Sequence, residues 1–306
     1  MKRKGFITDI ITHPYRYLLL LPATLYTFIY GYCSYPYIVI AFKKFNYRQG
    51  VFGSPFNGLQ NFAFFFKSSA AANVIGNTVY LNLLFLIFTT ICSVALAILL
   101  NEIVNRPFKR IAQSFMLFPH YLSWVVIGYM IYGFFSMEYG VINKVLIFFG
   151  GKPVNWYAEP EVWPGLLVIM RIWKGAGMSA VIYLASITGI DSSIYEAAEI
   201  DGASRMQQIG RLTIPLLTPT VCILTLLSIG RIMYGDFGMM YAIIGDNGVL
   251  YSSTDIIDTY IFRALRQTGN PSQAMAISLF QSLIGFGMVF GSNKAAQKLF
   301  PEGSLY

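Results

Sequence analysis

Six side chains suited to binding a polar solute lie within long apolar stretches of the sequence. They comprise three basic groups, one carboxylate and two aromatic rings: Arg171, Trp173, Lys174, Arg231, Asp236 and Tyr241. Ionisable groups in an apolar segment are costly unless they face a cavity or a partner. Aromatic rings that stack, with guanidinium and carboxylate groups that form paired hydrogen bonds, are the groups that bind sugars. The set therefore predicts a polar path suited to a sugar.

The spacing of these charges leaves a structural alternative open. Arg171 and Lys174 are one helical turn apart, so they share a face of a helix. Both can equally extend toward a membrane surface, since long basic side chains bury their stems and keep their charge in water. Asp236 follows Arg231 by five residues, and the two can form an ion pair whose role is structural.

A second unusual stretch is the polar segment, residues 189–213, which lies between two long apolar runs. Small residues and charges alternate in it: Glu196, Ala197, Ala198, Glu199, Asp201, Gly202, Ala203 and Arg205. Ser193 and Glu196 have the spacing of a capping box, which predicts a short helix from Ser193 that Gly202 interrupts. Asp201 or Ser204 can cap a second short helix, since Ser204 and Gln207 repeat the spacing. Such a surface suits close contact with another protein.

The composition predicts an integral membrane protein. Of the 306 residues, 56% are hydrophobic and only 12% are charged, whereas a soluble domain has about 25% charged residues. Backbone groups in lipid must be paired within the protein, so the segments that cross a membrane are expected to be helices. We therefore predict an all-α membrane bundle, a single transmembrane domain that takes up residues 1–306.

Apolar runs close to the ~20 residues that a bilayer requires predict six spans. They cover residues 17–42, 77–100, 111–135, 163–188, 214–244 and 274–291. The fifth is expected to bend near Gly235, and Pro215 lies where the first turn of a helix tolerates proline. The polar segment thus connects the fourth and fifth spans, and a force on it would reach both.

The distribution of basic residues predicts the orientation. Six crossings place both tails on one side, and Lys and Arg are modestly enriched in the tails, the turn at 101–110 and the polar segment. This bias places both termini and the polar segment in the cytoplasm. The net charge of +8 is spread over loops and tails. No basic patch is interleaved with stacking aromatics, so we predict no binding of nucleic acid.

The sequence lacks the motifs that would let the chain drive or catalyse a reaction itself. No GxxxxGK[ST] phosphate loop occurs, and Gly151-Lys152 is followed by Pro153. HExxH and GxSxG are also absent. The three cysteines lie in apolar runs and the two histidines are isolated, which argues against a metal site. We expect no catalytic residue, no metal and no cofactor bound by this chain, so its energy must come from another protein.

The polar segment resembles the EAA motif of the membrane subunits of ABC importers, whose usual form is EAA-x3-G-x9-I-x-LP. Glu196–Ala198 and Gly202 match the first part of this motif. Leu212 and Ile214 take its two apolar positions, and Pro215 is in place. The surrounding sequences AAEIDGAS and IPLLTP add specificity to the match.

Other segments resemble the carbohydrate-uptake branch, which includes the maltose-type permeases. Gly58–Phe62 and Ile172–Gly175 carry this similarity. Thr254–Tyr260, Arg263–Arg266 and the ending Phe300–Glu302 resemble the Gram-positive oligosaccharide and polysaccharide permeases of the LplB/YteP type. The similar segments are spread over nearly the whole chain, although the end lacks the basic cluster that often follows the last span in this branch.

The resemblance implies a six-span, MetI-like permease subunit of a type I importer in the bacterial cytoplasmic membrane. It implies four further components: a second, usually different permease, a cytoplasmic ATPase dimer that holds ATP and Mg²⁺, an extracellular solute-binding lipoprotein, and an oligosaccharide that moves inward by alternating access. The residues that would couple this chain to the ATPase are Glu196, Ala197, Ala198, Asp201, Gly202, Ala203, Arg205 and Pro215.

Three other classes of function predict different sequence features. A secondary transporter working alone predicts inverted repeats and paired ionisable groups at mid-membrane, and no convincing repeat occurs. A membrane-embedded enzyme predicts a catalytic constellation in or beside the spans, which the sequence does not offer. A permease of the same fold that carries another solute remains open, because the sugar rests on the resemblance.

Overall fold

A computed structural model describes residues 6–299 of the chain. The basic residues at positions 2–4 and the ending Phe300–Glu302 lie outside the described residues. In chain order the α-helices are α1 (Phe6–Thr12), α2 (Pro14–Thr27), α3 (Gly50–Gly53), α4 (Gln60–Phe66), α5 (Ser69–Glu102), α6 (Arg106–Tyr121), α7 (Trp124–Phe135), α8 (Val141–Phe148), α9 (Trp163–Thr188), α10 (Ser192–Ile200), α11 (Arg205–Gln208), α12 (Ile214–Ile229), α13 (Phe237–Ile243), α14 (Tyr251–Thr254), α15 (Ile257–Arg266) and α16 (Pro271–Leu299).

Shorter helical turns join several of these helices. Phe28–Tyr32 and Ile209–Thr213 are π-helical, and four segments are 3₁₀ helices: Tyr35–Phe42, Trp156–Ala158, Pro160–Val162 and Gly248–Leu250. Across residues 6–299 the strand content is limited to an isolated antiparallel bridge between Lys43 and Phe56. The prediction of an all-α bundle is therefore confirmed.

Several of these helices are long and apolar enough to cross a membrane. Within the described range they are Ser69–Glu102, Pro160–Thr188, Arg205–Ile229 and Pro271–Ala295, and the bent pair α6–α7 provides up to one more. The second and fourth predicted spans lie within the first two of these stretches. Four or five crossings are thus supported by length and composition, and the sixth remains a prediction.

The first predicted span, residues 17–42, is not one α-helix. It is built from α2, the π-helical turn Phe28–Tyr32 and the 3₁₀ helix Tyr35–Phe42. α2 ends at Thr27, and Pro36 lies in the first turn of the 3₁₀ helix, where its missing backbone N–H is tolerated. Most side chains of this segment are exposed in the isolated chain.

The third predicted span, residues 111–135, begins earlier and is broken. α6 starts at Arg106, where the Asn105 side chain accepts a hydrogen bond of 3.0 Å from the backbone N–H of Phe108. The expected turn at 101–110 is correspondingly shorter. α7 lies at 94° to α6, and the Ser123 side chain caps the new helix at the N–H of Val126. The capping residue Ser123 thus starts a second helix inside an apolar run that was predicted to form a single helix.

The fifth predicted span, residues 214–244, also differs from a single bent helix. α12 ends at Ile229 and α13 begins at Phe237, so residues 230–236 form a non-helical break. The expected bend near Gly235 falls within this break. The sixth predicted span, residues 274–291, is part of a longer helix. α16 runs from Pro271 to Leu299 and includes the basic tail residues Lys294 and Lys298.

The centre of the bundle is the long pair α5 and α9, which pack side by side. α6 crosses α9 at Gly177, where an added Cβ would lie 2.1 Å from the Met116 carbonyl oxygen. α7 crosses α13 in the same way at Gly128, 2.2 Å from the Ala242 carbonyl oxygen. Helices in lipid associate through such close backbone contacts at small residues, so these two glycines determine how near the helices lie.

Replacing Gly177 by alanine is expected to destabilise the chain by about 1–3 kcal/mol, the usual cost of overpacking a close contact. The new methyl group overlaps backbone atoms of Met116 in α6. Backbone atoms of a helix cannot move aside as the end of a flexible side chain can. Gly175→Ala is the matched control, because its nearest neighbour would be Thr89 Cγ2 at 4.0 Å. Thermal unfolding in detergent measures both variants. Equal midpoints for the two would contradict the close contact.

Candidate functional site

A cleft of about 600 Å³ opens between α5, α9, α12 and the break at 230–236. Sites for small organic ligands have volumes in this range. Hydroxyl and amide side chains line much of its wall: Asn82, Thr89, Thr90, Ser93, Ser179, Tyr183, Ser228 and Tyr234. Phe85 and Phe237 add aromatic surface. The arrangement combines hydrogen-bonding groups with rings, which is suited to a polyhydroxylated solute.

The break at 230–236 is held by polar side chains from three other helices. Asn82 of α5 donates to the carbonyl oxygen of Ile232 at 2.9 Å. Gln281 of α16 donates to the Met233 carbonyl at 2.6 Å, and the Asp258 carboxylate accepts from the Gly235 N–H at 2.7 Å. Unpaired backbone groups are costly in a membrane unless protein or a water-filled cavity satisfies them. The three side chains therefore stabilise the break as a part of the fold. The break also forms part of the wall of the cleft.

Asp236 joins three elements at the cleft. Its carboxylate accepts hydrogen bonds from Arg171 Nη1 at 2.6 Å and from Trp124 Nε1 at 2.9 Å. Its second oxygen caps α13 by accepting from the Met239 N–H at 3.0 Å. The ion pair of Asp236 with Arg231, which the sequence left open as an alternative, is not the one found, because Arg171 approaches from α9 and takes that position. Asp236 thus fixes α7, α9 and α13 to one another.

Three of the six predicted path residues, Arg171, Arg231 and Asp236, line the cleft. Lys174 lies outside its wall, where its ammonium group donates to the backbone carbonyls of Pro119, His120 and Leu122. The same ammonium group lies 5.2 Å from the centre of the Trp124 ring. Backbone carbonyls at a helix end attract a cation, so Lys174 fastens the sharp corner between α6 and α7.

The two predicted aromatic residues also lie outside the cleft wall. Tyr241 stacks on Phe237 with the ring centres 5.3 Å apart, and it meets Phe262 edge-on. Trp173 is exposed on the surface of α9. Their role in a substrate path stays a prediction, and Tyr241 contacts a residue of the wall, Phe237. The aromatic side chains of the wall are Phe85, Tyr183, Tyr234 and Phe237, and none of them is among the six predicted path residues.

The polar segment forms the two short helices that the capping pattern predicts, with one change at the first cap. α10 is capped by Asp191, whose carboxylate accepts from the Ser193 N–H at 3.0 Å, so Ser193 is not the cap. This hydrogen bond holds the pKa of Asp191 below its ordinary value. α11 has the predicted capping box, in which Ser204 and Gln207 exchange side-chain and backbone hydrogen bonds of 3.4 and 2.8 Å.

Gly202 turns the chain between these two helices. Its φ is +77°, a left-handed conformation that glycine adopts without steric cost. The N–H of Ala203 closes the turn by donating to the carbonyl of Ala198 at 2.9 Å. An added Cβ at Gly202 would meet no atom of this chain within 4 Å. The glycine is therefore required by the backbone geometry, and the space in front of it is free.

The second short helix is continuous with the fifth span. α11, the π-helical turn Ile209–Thr213 and α12 form one helical stretch from Arg205 to Ile229. The Tyr195 hydroxyl lies 3.0 Å from that of Thr213 and ties α10 to the same stretch. Leu224, Leu227 and Ser228 at its far end line the cleft. One helical stretch thus connects the polar segment to the wall of the cleft.

The coupling residues predicted in the polar segment differ in their exposure. Glu196, Ala197, Asp201, Gly202, Arg205 and Pro215 are exposed, while Ala198 and Ala203 are half-buried. Arg205 forms a solvent-exposed ion pair of 3.2 Å with Glu199, and such pairs contribute little to stability. Sequence reasoning missed two apolar side chains on this surface, Ile200 and Met206, which are 87% and 76% exposed. Two large apolar residues within a polar run were the available signal.

A polar cleft among apolar helices, joined by one helix to an exposed polar segment, is the arrangement of a membrane transport subunit. The chain belongs to the family described as the inner membrane component of binding-protein-dependent transport systems, which matches residues 89–291. It is a membrane permease subunit of an ABC importer with the type I, MetI-like fold.

The chain is similar to two permeases of Bacillus subtilis (strain 168). It is 32% identical to the polygalacturonan/rhamnogalacturonan transport system permease protein YteP, over 99% of this chain and 94% of that protein. It is also 32% identical to protein LplB, over 94% of this chain and 90% of LplB. Among solved structures, it superposes on a chain of a bacterial ABC transporter involved in the import of the acidic polysaccharide alginate. The TM-score is 0.87 and the sequence identity is 29%. The superposition covers 97% of this chain and 100% of that chain.

Proposed function

We propose that this permease subunit passes an oligosaccharide into the cell through the cleft. The hydroxyl, amide and aromatic lining of the cleft supports a sugar, since each hydroxyl of such a solute can find a partner there. The names of the similar proteins support the same class: one is described as a polygalacturonan and rhamnogalacturonan permease, and another as part of an alginate importer.

The assembly we propose has this chain beside a second, similar permease, most simply as a heterodimer. A cytoplasmic ATPase dimer binds the polar segment and holds the ATP and Mg²⁺, and this chain binds neither. An extracellular solute-binding lipoprotein delivers the sugar, a role supported by the structure of the alginate importer with its periplasmic protein. The chain crosses the bacterial cytoplasmic membrane six times, with both termini and the polar segment inside.

The observation that carries the proposal is the continuous helix Arg205–Ile229, which begins in the polar segment and ends at the cleft. When the ATPase dimer closes on ATP, it moves α10 and α11. The continuous helix carries this motion to the wall of the cleft, which changes the side from which the sugar enters. A ligand shifts such an equilibrium only through contacts that differ between the two states. Glu196 is exposed and supplies a carboxylate for a basic residue of the ATPase.

The test is to reconstitute the chain in proteoliposomes with its second permease, the ATPase and the binding protein. Uptake of labelled oligosaccharides is compared with uptake of amino acids and inorganic ions, with and without ATP. We expect saturable sugar uptake that requires ATP and copurification of the ATPase with this chain. A preference for amino acids or ions would overturn the sugar, and transport without the ATPase would overturn the coupling.

A further inference from the structure

The charge of the cleft is uneven. Arg171, Arg231 and Asp236 are the charged side chains of its wall. Arg171 and Asp236 neutralise each other in an ion pair of 2.6 Å. No carboxylate among the described residues lies within ion-pair distance of Arg231. The wall of the cleft therefore presents one uncompensated positive charge, contributed by Arg231.

The position of Arg231 is fixed by its neighbours. Its backbone N–H donates to the Ser228 carbonyl at 3.0 Å at the end of α12. The next two residues, Ile232 and Met233, are buried, and their carbonyls are held by Asn82 and Gln281. The Arg231 side chain itself is exposed to the cleft. An arginine within a membrane bundle is costly without a counter-charge, and here the backbone that bears it is rigidly held.

A second group of the same wall also lacks a partner. The hydroxyl oxygen of Thr89 on α5 is buried and forms no hydrogen bond with any described residue. Buried hydroxyl groups are usually paired, and those that are not call for an explanation such as a ligand or ordered water. Thr89 and Arg231 both line the cleft, so its wall contains an unmatched hydroxyl as well as an unmatched cation.

We propose that the saccharide that passes this cleft is acidic, and that Arg231 binds its carboxylate. This inference rests on the proposed sugar transport and specifies its substrate class. A guanidinium group presents two parallel N–H donors that match the two oxygens of a carboxylate, as in a uronic acid residue. A neutral sugar would leave the charge of Arg231 without a partner. Arg231 is thus the residue that selects for charge in the cleft.

The experiment uses the complete importer in proteoliposomes, with trigalacturonate and its methyl ester as probes. The ester keeps the size and hydroxyls of the probe and removes its charge. We expect Arg231→Gln to reduce uptake of trigalacturonate by about tenfold to a hundredfold, the range for loss of a charged hydrogen bond. Uptake of the ester should change less than about threefold. Arg231→Lys keeps the charge but loses the paired donors of the guanidinium group. Its uptake of trigalacturonate should lie between that of the wild type and that of Arg231→Gln.

Arg266→Gln is the matched control, because Arg266 is an exposed arginine that does not line the cleft. It should leave the uptake of both probes unchanged. Equal losses for acid and ester in Arg231→Gln, or wild-type uptake of trigalacturonate by this variant, would overturn the role of Arg231 while sugar transport stands. Loss of the second permease from the purified Arg231→Gln complex would assign Arg231 to that contact instead. Absence of uptake of every saccharide by the wild-type importer would overturn the proposed function itself.

Discussion

We expect the Gly202→Val variant to insert into the membrane normally and to lose ATP-driven transport. Gly202 has a φ of +77°, and a β-branched residue in the left-handed region costs about 1–2 kcal/mol. The turn relieves this strain by changing the angle between α10 and α11. The valine also projects into space that is free in this chain and that the ATPase is proposed to fill. Both effects are expected to weaken binding of the ATPase to this chain.

Gly150→Val is the matched control for backbone strain. Gly150 has a φ of +81°, and an added Cβ there would also meet no atom within 4 Å. It lies in the loop before the fourth span, which we place outside the cell. Gly150→Val should therefore retain the ATPase and the transport activity. If the two valine variants were equally impaired, the loss at Gly202 would reflect strain alone.

A second variant separates the turn from the contact. Asparagine tolerates the left-handed conformation better than other side chains, so Gly202→Asn keeps the turn while adding atoms to the surface. We expect it to retain part of the transport activity and to bind the ATPase less tightly than the wild type. Copurification of the ATPase and uptake of the sugar measure the two steps. Normal association and normal transport in Gly202→Val would contradict the coupling role of this turn.

Features with local causes were predictable from the sequence. The low share of charged residues predicted the all-helical bundle, and the Ser204–Gln207 spacing predicted the cap that α11 has. These features depend on residues within a few positions of one another. A capping pattern acts over a few positions and composition is counted directly from the chain, so neither depends on contacts between distant residues.

The break at 230–236 was not predictable in this way. Its backbone is satisfied by Asn82 and Gln281, which lie 150 and 48 residues away from the groups they bind. In the apolar run 214–244 only Gly235 was taken to indicate a bend, and the charges of Arg231 and Asp236, which lie in the break, were interpreted as groups for a solute. The partner of Asp236 could not be identified from the sequence for the same reason. Arg231 is five residues away in sequence, whereas Arg171 reaches Asp236 from 65 residues away.

Replacing Asp236 by alanine is expected to have the largest effect on the bundle itself. The substitution leaves Arg171 without its counter-charge, Trp124 without its acceptor and α13 without its cap. Arg171 and Asp236 are 40% and 26% exposed, so solvent screens part of their attraction. We expect the loss of the three interactions to lower the free energy of unfolding by about 2–3 kcal/mol. Thermal unfolding of the purified chain in detergent measures this loss.

Asp236→Asn separates the charge from the hydrogen bonds. Asparagine keeps an oxygen that can accept from the backbone of α13 or from Trp124, but it no longer neutralises Arg171. We expect a smaller loss of stability, about 1–2 kcal/mol, because only the ionic part is removed. Asp246→Asn is the control, since Asp246 is an exposed carboxylate ten positions further along the chain.

The transport assay gives the stronger discrimination. In Asp236→Asn the cleft carries two uncompensated guanidinium groups, Arg171 and Arg231, instead of one. An acidic sugar should then bind more tightly and leave more slowly, so its maximal uptake rate falls while its half-saturation concentration also falls. A neutral sugar gains no such attraction, and its half-saturation concentration should stay at the wild-type value. If both probes respond alike, Asp236 acts only by holding α7, α9 and α13 together, and the charge of the cleft does not determine what it carries.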